Sequence, residues 1–164
     1  MRKITLTVLL LSALSFFAQA QEKTFSISGK IELDKGNLLV LTQRPGKIDT
    51  LAKTAIANRQ FSISGTTEEA VVAQLVIEGY AGGFVMILEP GEEYTANLTQ
   101  NGNGDIRGGK LQTAYNEYQK IVVNANAESR ALNKKASEAA AQKHFKTSKE
   151  LQTKANKVQE AAFA

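Results

Sequence analysis

The chain of 164 residues has no cysteine, no tryptophan, one histidine and two prolines. Because cysteine is absent, the protein cannot form a disulfide, use a thiol nucleophile or carry a CxxC redox pair. The one histidine, His144, has no partners at metal-ligand spacing, and a Ser-His-Asp triad would depend on it alone. The sequence therefore predicts no catalytic residues, no cofactor and no metal site.

The only long apolar run lies at the N-terminus. Arg2 and Lys3 precede an apolar stretch over residues 4–17, and Ala18-Gln19-Ala20 has the small-x-small pattern of a cleavage site. The stretch is shorter than the roughly 20 apolar residues that a transmembrane helix needs. We expect residues 1–20 to be a signal peptide cleaved after Ala20, with no membrane anchor left afterwards.

Positive charge is in modest excess and is not clustered. The formal net charge is +4, of which Arg2 and Lys3 contribute two, so residues 21–164 carry +2. Residues 111–164 are the more basic part, but their lysines are dispersed and aromatic residues are few. This pattern predicts a solvated helix surface and no nucleic-acid partner.

Residues 25–107 have the pattern of short strands separated by Gly, Pro and Asn turns. Phe25, Ile27 and Ile31 alternate with polar residues, which predicts a half-buried strand. Similar patterns predict further strands at residues 38–41, 50–57, 61–63, 71–77, 84–88, 94–98 and around Ile106. We expect an antiparallel β-sandwich or open barrel of about eight short strands, within a β domain over residues 21–110.

The pentapeptide FSISG occurs twice, at residues 25–29 and 61–65. The copies share a few more residues and then diverge, whereas repeat architectures usually need three or more copies. We interpret each copy as strand chemistry: Phe and Ile face the core, the serines face out, and Gly permits a bend or bulge. An ancient hairpin duplication would also explain the pair.

After Gly108-Gly109 the pattern becomes helical. Apolar residues recur every three or four positions from Leu111 to Ala125, including Tyr118 and Ile121, and residues 128–164 contain neither Gly nor Pro. We expect one or two long helices in a helical extension over residues 111–164. The apolar stripe of its second part is thin, comprising Leu132, Ala136, Ala140, Leu151, Ala155 and Val158.

This thin stripe leaves three arrangements open for residues 128–164: a loose helical hairpin, pairing with another chain, or a partly free segment. A row of alanines buries little apolar area, and each Å² is worth only about 25 cal/mol. We therefore expect this segment to be less stable than the β domain.

One turn resembles a calcium-binding loop. Asn101, Asn103 and Asp105 have the 1-3-5 spacing of such a loop. Ile106 stands where the loop needs glycine, and Gln112 stands where it needs a bidentate glutamate. We interpret the segment as a plain turn.

Three carboxylates flank the Pro90-Gly91 turn. Paired carboxylates can perform acid–base catalysis, and Glu89, Glu92 and Glu93 are close in sequence. Their pattern is that of an exposed turn without an aromatic platform. We interpret them as solvated surface residues.

The order of several segments resembles a known domain. It is similar to the N-terminal domain of unknown function that precedes the thioredoxin-like domain in exported Bacteroidetes thiol–disulfide oxidoreductases of the TlpA/ResA type. The resemblance covers about residues 24–125 and rests on FSISGKI (25–31), NLLVL (37–41), KIDTLAKTAIANRQFSISG (47–65), FVMILEPGEEY (84–94) and DIRGGKLQTAYNEYQ (105–119).

The resemblance implies a β fold and a periplasmic location. In that family a helical connector leads into a thioredoxin domain with a CxxC pair, whereas this chain ends in the helical connector and the thioredoxin domain is absent. The redox activity of the family therefore has no residues here to which it could be assigned.

The implied Bacteroidetes periplasm adds one candidate O-glycosylation site. The glycosylation motif there is Asp, then Ser or Thr, then a small apolar residue, and Asp49-Thr50-Leu51 matches it. The alternative is that Asp49 ends a turn and Thr50 begins a strand, so that the match is accidental.

Three functional hypotheses follow. The first is a non-catalytic periplasmic binding or interaction module with an unknown protein or cell-envelope partner. The second is the front part of a thiol–disulfide oxidoreductase. The third is a chaperone-like holdase that uses residues 128–164 as a clamp and self-associates through its helices.

Overall fold

The computed structural model describes residues 23–99, 102 and 104–164. The expected signal peptide, and Asn101 and Asn103 of the calcium-like turn, lie outside the described residues. Eight strands are followed by two helices, as the sequence predicted: β1 (Thr24–Ile31), β2 (Lys35–Arg44), β3 (Lys47–Ala57), β4 (Gln60–Thr66), β5 (Val71–Ile77), β6 (Phe84–Leu88), β7 (Glu93–Leu98), β8 (Gly104–Arg107), α1 (Lys110–Ala141) and α2 (Phe145–Ala162).

All eight strands belong to one sheet in the order β6-β5-β2-β3-β4-β1-β7-β8. A single sheet corresponds to the barrel of the two predicted architectures and not to the sandwich. One pairing differs from the antiparallel prediction, because β1 and β7 are parallel. The sheet is therefore mixed.

A short link between β6 and β7 makes the sheet curl. These strands lie six positions apart in the sheet, which is about 29 Å at the usual spacing of about 4.8 Å per strand. Residues 89–92 join them, and five peptide steps span at most about 17 Å. The sheet consequently bends into a nearly closed barrel.

Contact between the two outermost strands supports this closure. A Cβ atom added to Gly104 of β8 would lie 2.7 Å from Cδ1 of Phe84 of β6. The two ends of the sheet therefore meet at the end of the barrel where β1, β3, β5 and β7 finish. We call this end of the barrel its upper end.

The barrel interior is filled by side chains from every strand. Alternate residues of each strand point inward, which produces the period of two seen in the sequence. The buried apolar residues are Phe25, Ile27, Ile31, Leu38, Val40, Ile56, Phe61, Ile63, Ala73, Leu75, Ile77, Phe84, Met86, Leu88, Tyr94, Ala96, Leu98 and Ile106.

The two FSISG segments pair with each other. In the antiparallel ladder of β1 and β4, Ile27 lies opposite Ile63 and Phe25 lies opposite Gly65. Phe and Ile of both copies are buried and the serines face outward, as predicted. The bulge that was predicted as one role of the glycines is absent, because the ladder runs through both positions without a register shift.

Close approach explains both glycines instead. A Cβ atom on Gly29 would collide with the backbone carbonyl of Ala96 on the neighbouring β7. A Cβ atom on Gly65 would lie 2.7 Å from Cζ of Phe25. A side chain is therefore blocked by backbone at Gly29 and requires the Phe25 ring to shift at Gly65.

Residues from Arg107 onward form a second compact unit. Its helices α1 and α2 pack as an antiparallel hairpin, which is one of the three arrangements left open by the sequence. The side-chain Nε2 of Gln159 donates to Oδ1 of Asn126 across the hairpin at 3.0 Å. The buried residues that the helices share are small, namely Ala125, Ser129, Ala136, Ser148 and Ala155.

The predicted stripe in the first half of α1 is mostly exposed. Leu111, Tyr118 and Ile121 are 44%, 44% and 55% exposed. Within the hairpin, α2 has 18 residues against 32 in α1, so it reaches back only to about Asn126. Neither described helix is long and apolar enough to cross a membrane.

Candidate functional site

A cleft of about 400 Å³ opens at the upper end of the barrel. We call it the amide cleft, because three of its lining residues carry primary amides. It lies where the end of β1, the β3–β4 turn and the end of β7 meet. Its lining residues are Lys30, Ile31, Glu32, Asn58, Arg59, Gln60, Asn97, Leu98 and Thr99.

Strand register brings the polar side chains of the cleft together. Lys30 is the ladder partner of Gln60 on one side and of Asn97 on the other. Side chains at such paired positions point to the same face of the sheet and lie about 5 Å apart. Gln60, Lys30 and Asn97 therefore form one polar row across β4, β1 and β7.

The floor of the cleft is formed by apolar residues whose side chains are almost completely buried. Ile31 and Leu98 are each only 2% exposed. The backbone N–H of Ile31 donates to the carbonyl of Arg59 at 3.0 Å, and that of Glu32 donates to the carbonyl of Leu98 at 3.1 Å. These bonds fix the β3–β4 turn and the end of β7 against the end of β1.

The β3–β4 turn has an unusual backbone. Asn58 and Arg59 have φ angles of 53° and 63°, which is the pattern of a two-residue type I′ hairpin turn. Asparagine tolerates this region, but the second position strongly favours glycine. Arg59 therefore occupies a strained position at the rim of the cleft, and strain of this kind costs about 1–3 kcal/mol.

The polar groups of the cleft are mostly available. Within the described part of the chain, no hydrogen bond is made by the side chains of Asn58, Gln60 or Asn97. The guanidinium Nε of Arg59 lies 3.6 Å from Oδ1 of Asp34, and both side chains are well exposed. Such a surface pair contributes little to stability, so the guanidinium can turn towards a ligand.

A smaller notch of about 60 Å³ lies at the same end of the barrel. It is lined in part by Leu33, Ile77 and Phe84, and it shares Thr99 with the amide cleft. Tyr80 stands beside it and is 55% exposed. The notch adds apolar surface next to the polar cleft.

Two carboxylates are paired away from the cleft. A hydrogen bond from Lys53 and another from Asn37 hold the pKa of Glu78 below its ordinary value. A hydrogen bond from Lys47, with further attraction from Arg44, likewise lowers the pKa of Asp49. Glu78, which follows β5, thereby contacts β2 and β3, whereas Asp49 of β3 contacts Lys47 of the same strand and Arg44 of β2. Neither carboxylate forms an acid–base site.

Tyr94 holds the β6–β7 link in place through a hydrogen bond. Its hydroxyl oxygen accepts the backbone N–H of Glu89 at 2.8 Å, and the residue is 2% exposed. Burial raises the pKa of Tyr94, while the hydrogen bond from Glu89 acts in the opposite direction. The arrangement resembles the tyrosine corners of Greek-key β proteins.

The candidates considered from the sequence are dispersed. Glu89 and Glu92 lie in the β6–β7 link, and Glu93 begins β7. His144 caps the start of α2 in the helical unit. In the described part of the chain, no three His, Cys, Asp or Glu side chains come together in a group that could bind a metal.

The Asp49-Thr50-Leu51 segment lies near the start of β3. Thr50 is exposed, Leu51 is half-buried against the core, and the carboxylate of Asp49 lies 2.5 Å from Nζ of Lys47. The ladder with β2 skips from Ala52 to Thr50, so Leu51 is the extra residue of a β-bulge. The hydroxyl of Thr50 is thus accessible in the folded chain.

Residues 25–115 match the family described as a domain of unknown function, DUF4369. Since this match covers more than half of the chain, the protein belongs to that family. No curated protein matches the sequence. Among solved structures, a 9R-lipoxygenase from Cyanothece PCC8801 aligns with 16% identity, a TM-score of 0.32, and cover of 48% of this chain and 16% of that one.

The amide cleft was not predicted from the sequence. Lys30, Arg59 and Asn97 are far apart along the chain, and no single motif joins them. One local signal was available, because Asn58-Arg59 between two apolar segments is the pattern of a tight hairpin. Only the sheet order shows which strands flank that turn.

Proposed function

We propose that the chain is an exported, non-catalytic module that binds a polar ligand of the cell envelope in the amide cleft. The observation that carries this proposal is the convergence of Asn58, Gln60, Asn97, Lys30 and Arg59 around one opening. Proteins usually present binding residues on turns and strand ends of a rigid scaffold. The cleft has this construction.

The composition of the cleft favours binding over catalysis. Glu32 is the only carboxylate among its described lining residues, and the remaining polar groups are amides, hydroxyls and cations. General acid–base catalysis needs a proton donor and acceptor positioned together. The cleft instead offers many hydrogen-bond donors and acceptors, which suits recognition.

Nuclear magnetic resonance can test this function directly. The NH2 signals of Asn58, Gln60 and Asn97 report on the cleft without any label other than ¹⁵N. We expect at least one member of a panel of oligosaccharides, peptides and nucleotides to shift these signals and those of nearby backbone amides. Shifts confined to other surfaces, or turnover of any panel member, would overturn the proposal.

A second candidate is a module that serves a thiol–disulfide oxidoreductase of the TlpA/ResA type. The family match over residues 25–115 favours this candidate, since the segments quoted above resemble the domain that precedes the thioredoxin-like domain. The genomic sequence after the codon for Ala164 tests it. A thioredoxin domain with CxxC, in frame or frameshifted, would support the candidate, and an unrelated gene would count against it.

A third candidate is a holdase that binds unfolded chains through its helices. Exposed apolar side chains within residues 128–164, among them Phe145 and Phe163, favour this candidate. It predicts self-association and suppression of aggregation of a model client, both lost when residues 128–164 are deleted. A monomer without such activity would exclude it.

A further inference from the structure

We propose that the ligand of the amide cleft is an acidic oligosaccharide that carries carboxylates. This inference rests on the proposed binding function and specifies the chemistry of its ligand. It follows from the chemical groups that line the cleft and from those that its lining lacks.

The central strand of the cleft, β1, has no free edge with unpaired backbone groups. The edges of β1 are occupied on both sides, by β4 over residues 24–30 and by β7 over residues 26–31. A peptide that binds as an added strand needs an exposed sheet edge. A peptide therefore cannot add to β1, the central strand of the amide cleft, and side chains are the main groups that β1 offers to a ligand.

Within the described residues, the cleft itself has no open apolar pocket, and the apolar surface beside it is that of the notch of about 60 Å³. Its apolar lining residues, Ile31 and Leu98, are each only 2% exposed. Protein partners are usually anchored by apolar or aromatic side chains that insert into such pockets. A ligand covered with hydroxyl groups does not need one.

The groups that the cleft presents match sugar hydroxyls. A primary amide both donates and accepts hydrogen bonds, and so does a hydroxyl. The row of Gln60, Lys30 and Asn97 crosses three adjacent strands, whose spacing of about 4.8 Å is comparable to the width of one sugar ring. Below this row the outward residues of β1 and β4 are serines, namely Ser28 and Ser62, so a chain of several sugars can extend along the sheet.

The cations of the cleft can bind an acidic sugar. Lys30 and Arg59 carry positive charge, and Glu32 also lines the cleft. Asp34 lies beside Arg59 with 3.6 Å between its Oδ1 and the guanidinium Nε, so an acidic ligand must displace Asp34 from the guanidinium. A guanidinium group binds a carboxylate through two parallel hydrogen bonds. Arg59 can form such a pair because its contact with Asp34 is long and solvent-exposed.

The strain at Arg59 indicates that arginine occupies this position for the function of its side chain and not because it suits the backbone conformation of the turn. Its φ angle of 63° is one that glycine adopts without penalty. A residue that is unfavourable for folding and lies at the rim of a cleft is a candidate for a functional role. Arg59→Gly should therefore separate the two roles, because it relieves the backbone and removes the guanidinium.

Calorimetric titration of the purified protein at low salt tests the proposal. The probes are an oligogalacturonate, a neutral galactose oligomer of equal length and a short polyglutamate peptide. We expect the oligogalacturonate to bind at least tenfold more tightly than either of the others. Arg59→Gly and Lys30→Gln should each weaken its binding about tenfold or more, while Arg44→Gln, at the opposite end of the barrel, should leave it unchanged.

The melting temperature distinguishes lost contacts from lost folding. Arg59→Gly should melt at a higher temperature than the parent protein while binding the oligogalacturonate more weakly. If this variant binds as well as the parent, Arg59 is not part of the site and the proposal is wrong.

Each remaining outcome also decides between hypotheses. Equal binding of the neutral oligomer would overturn the acidic ligand but support the binding function. Tighter binding of polyglutamate would replace the saccharide with an acidic peptide. If no probe binds and the NH2 signals of the cleft respond to no member of the wider panel, both the inference and the proposed function fail.

Discussion

The ring of Phe25 occupies the space that a side chain on Gly65 would need. The two residues face each other in the β1–β4 ladder, and a Cβ atom on Gly65 would lie 2.7 Å from Cζ of Phe25 and 3.1 Å from the carbonyl oxygen of Leu51. An aromatic ring packed over a cross-strand glycine covers the exposed backbone. The second FSISG copy thus provides the glycine against which the phenylalanine of the first copy packs.

This contact predicts that Gly65→Ala destabilises the barrel by about 1–3 kcal/mol, the usual cost of overpacking a core. Shortening the ring should restore part of that loss, so the double variant Phe25→Leu/Gly65→Ala should be more stable than the sum of the two single changes implies. Chemical denaturation measures all four proteins. Strict additivity would contradict the contact.

Two other substitutions serve as comparisons. Ser64→Ala, at the exposed neighbouring position, should change stability by less than about 0.5 kcal/mol. Gly29→Ala should be more damaging than Gly65→Ala, because it meets the backbone of Ala96, which cannot adopt another rotamer.

Removing the hydroxyl of Tyr94 should loosen the β6–β7 link. Tyr94→Phe removes the hydroxyl oxygen that accepts the N–H of Glu89 at 2.8 Å, and the loss of one such hydrogen bond costs about 0.5–1.5 kcal/mol. Tyr80→Phe is the control, because Tyr80 is exposed and makes no hydrogen bond through its side chain within the described part of the chain. Equal melting temperatures for the two variants would show that the link is fixed by other contacts.

The pairing of Glu78 should make stability depend on pH. Because hydrogen bonds from Lys53 and Asn37 lower the pKa of Glu78 below its ordinary value in the folded state, these contacts stabilise the fold at neutral pH. This contribution is lost as pH falls through the lowered pKa. Glu78→Gln should therefore have a lower melting temperature than the parent protein at pH 7 and the same melting temperature at pH 2.

Glu68→Gln provides the matched control for Glu78. Glu68 is exposed and has no ion pair within the described part of the chain, so its substitution should have little effect at either pH. The difference seen with Glu78→Gln should shrink in high salt, which screens exposed ion pairs. A salt-independent difference would show that the charge of Glu78 is not the cause.

The helical hairpin should be less stable than the barrel. Its shared buried residues are alanines and serines, whose burial contributes little per residue. Hydrogen-exchange mass spectrometry should show faster amide exchange across residues 128–164 than across residues 25–98. Equal protection of the two regions would contradict this expectation and would point to a partner that covers the helices.

The glycosylation hypothesis predicts a glycan on Thr50. The exposed hydroxyl is compatible with modification, and Thr54→Ala is a control because Lys53 and not an aspartate precedes it. If the chain is exported and cleaved after Ala20 as the sequence predicts, its intact mass when purified from its native host should exceed that of residues 21–164 by a glycan, and Thr50→Ala should remove the excess. A mass equal to residues 21–164, with at most pyroglutamate at Gln21, would reject the site.

Local pattern was sufficient to predict the elements of this fold. Alternation of apolar and polar residues identified the eight strands, because side chains of a strand point to opposite faces. Recurrence every three or four residues identified the helices after Gly108-Gly109 for the same geometric reason. The inward direction of Phe25, Ile27, Phe61 and Ile63 also followed from the sequence.

Tertiary structure alone decided how those elements meet. The parallel pairing of β1 with β7 arises because a four-residue link carries the chain from one side of the sheet to the other, and no local pattern records that crossing. The same pairing brings Asn97 next to Lys30 and the β3–β4 turn, and so it creates the amide cleft. Local sequence sets the conformation of each segment, whereas the order of strands is set by barrel closure and by hydrogen bonds between distant residues.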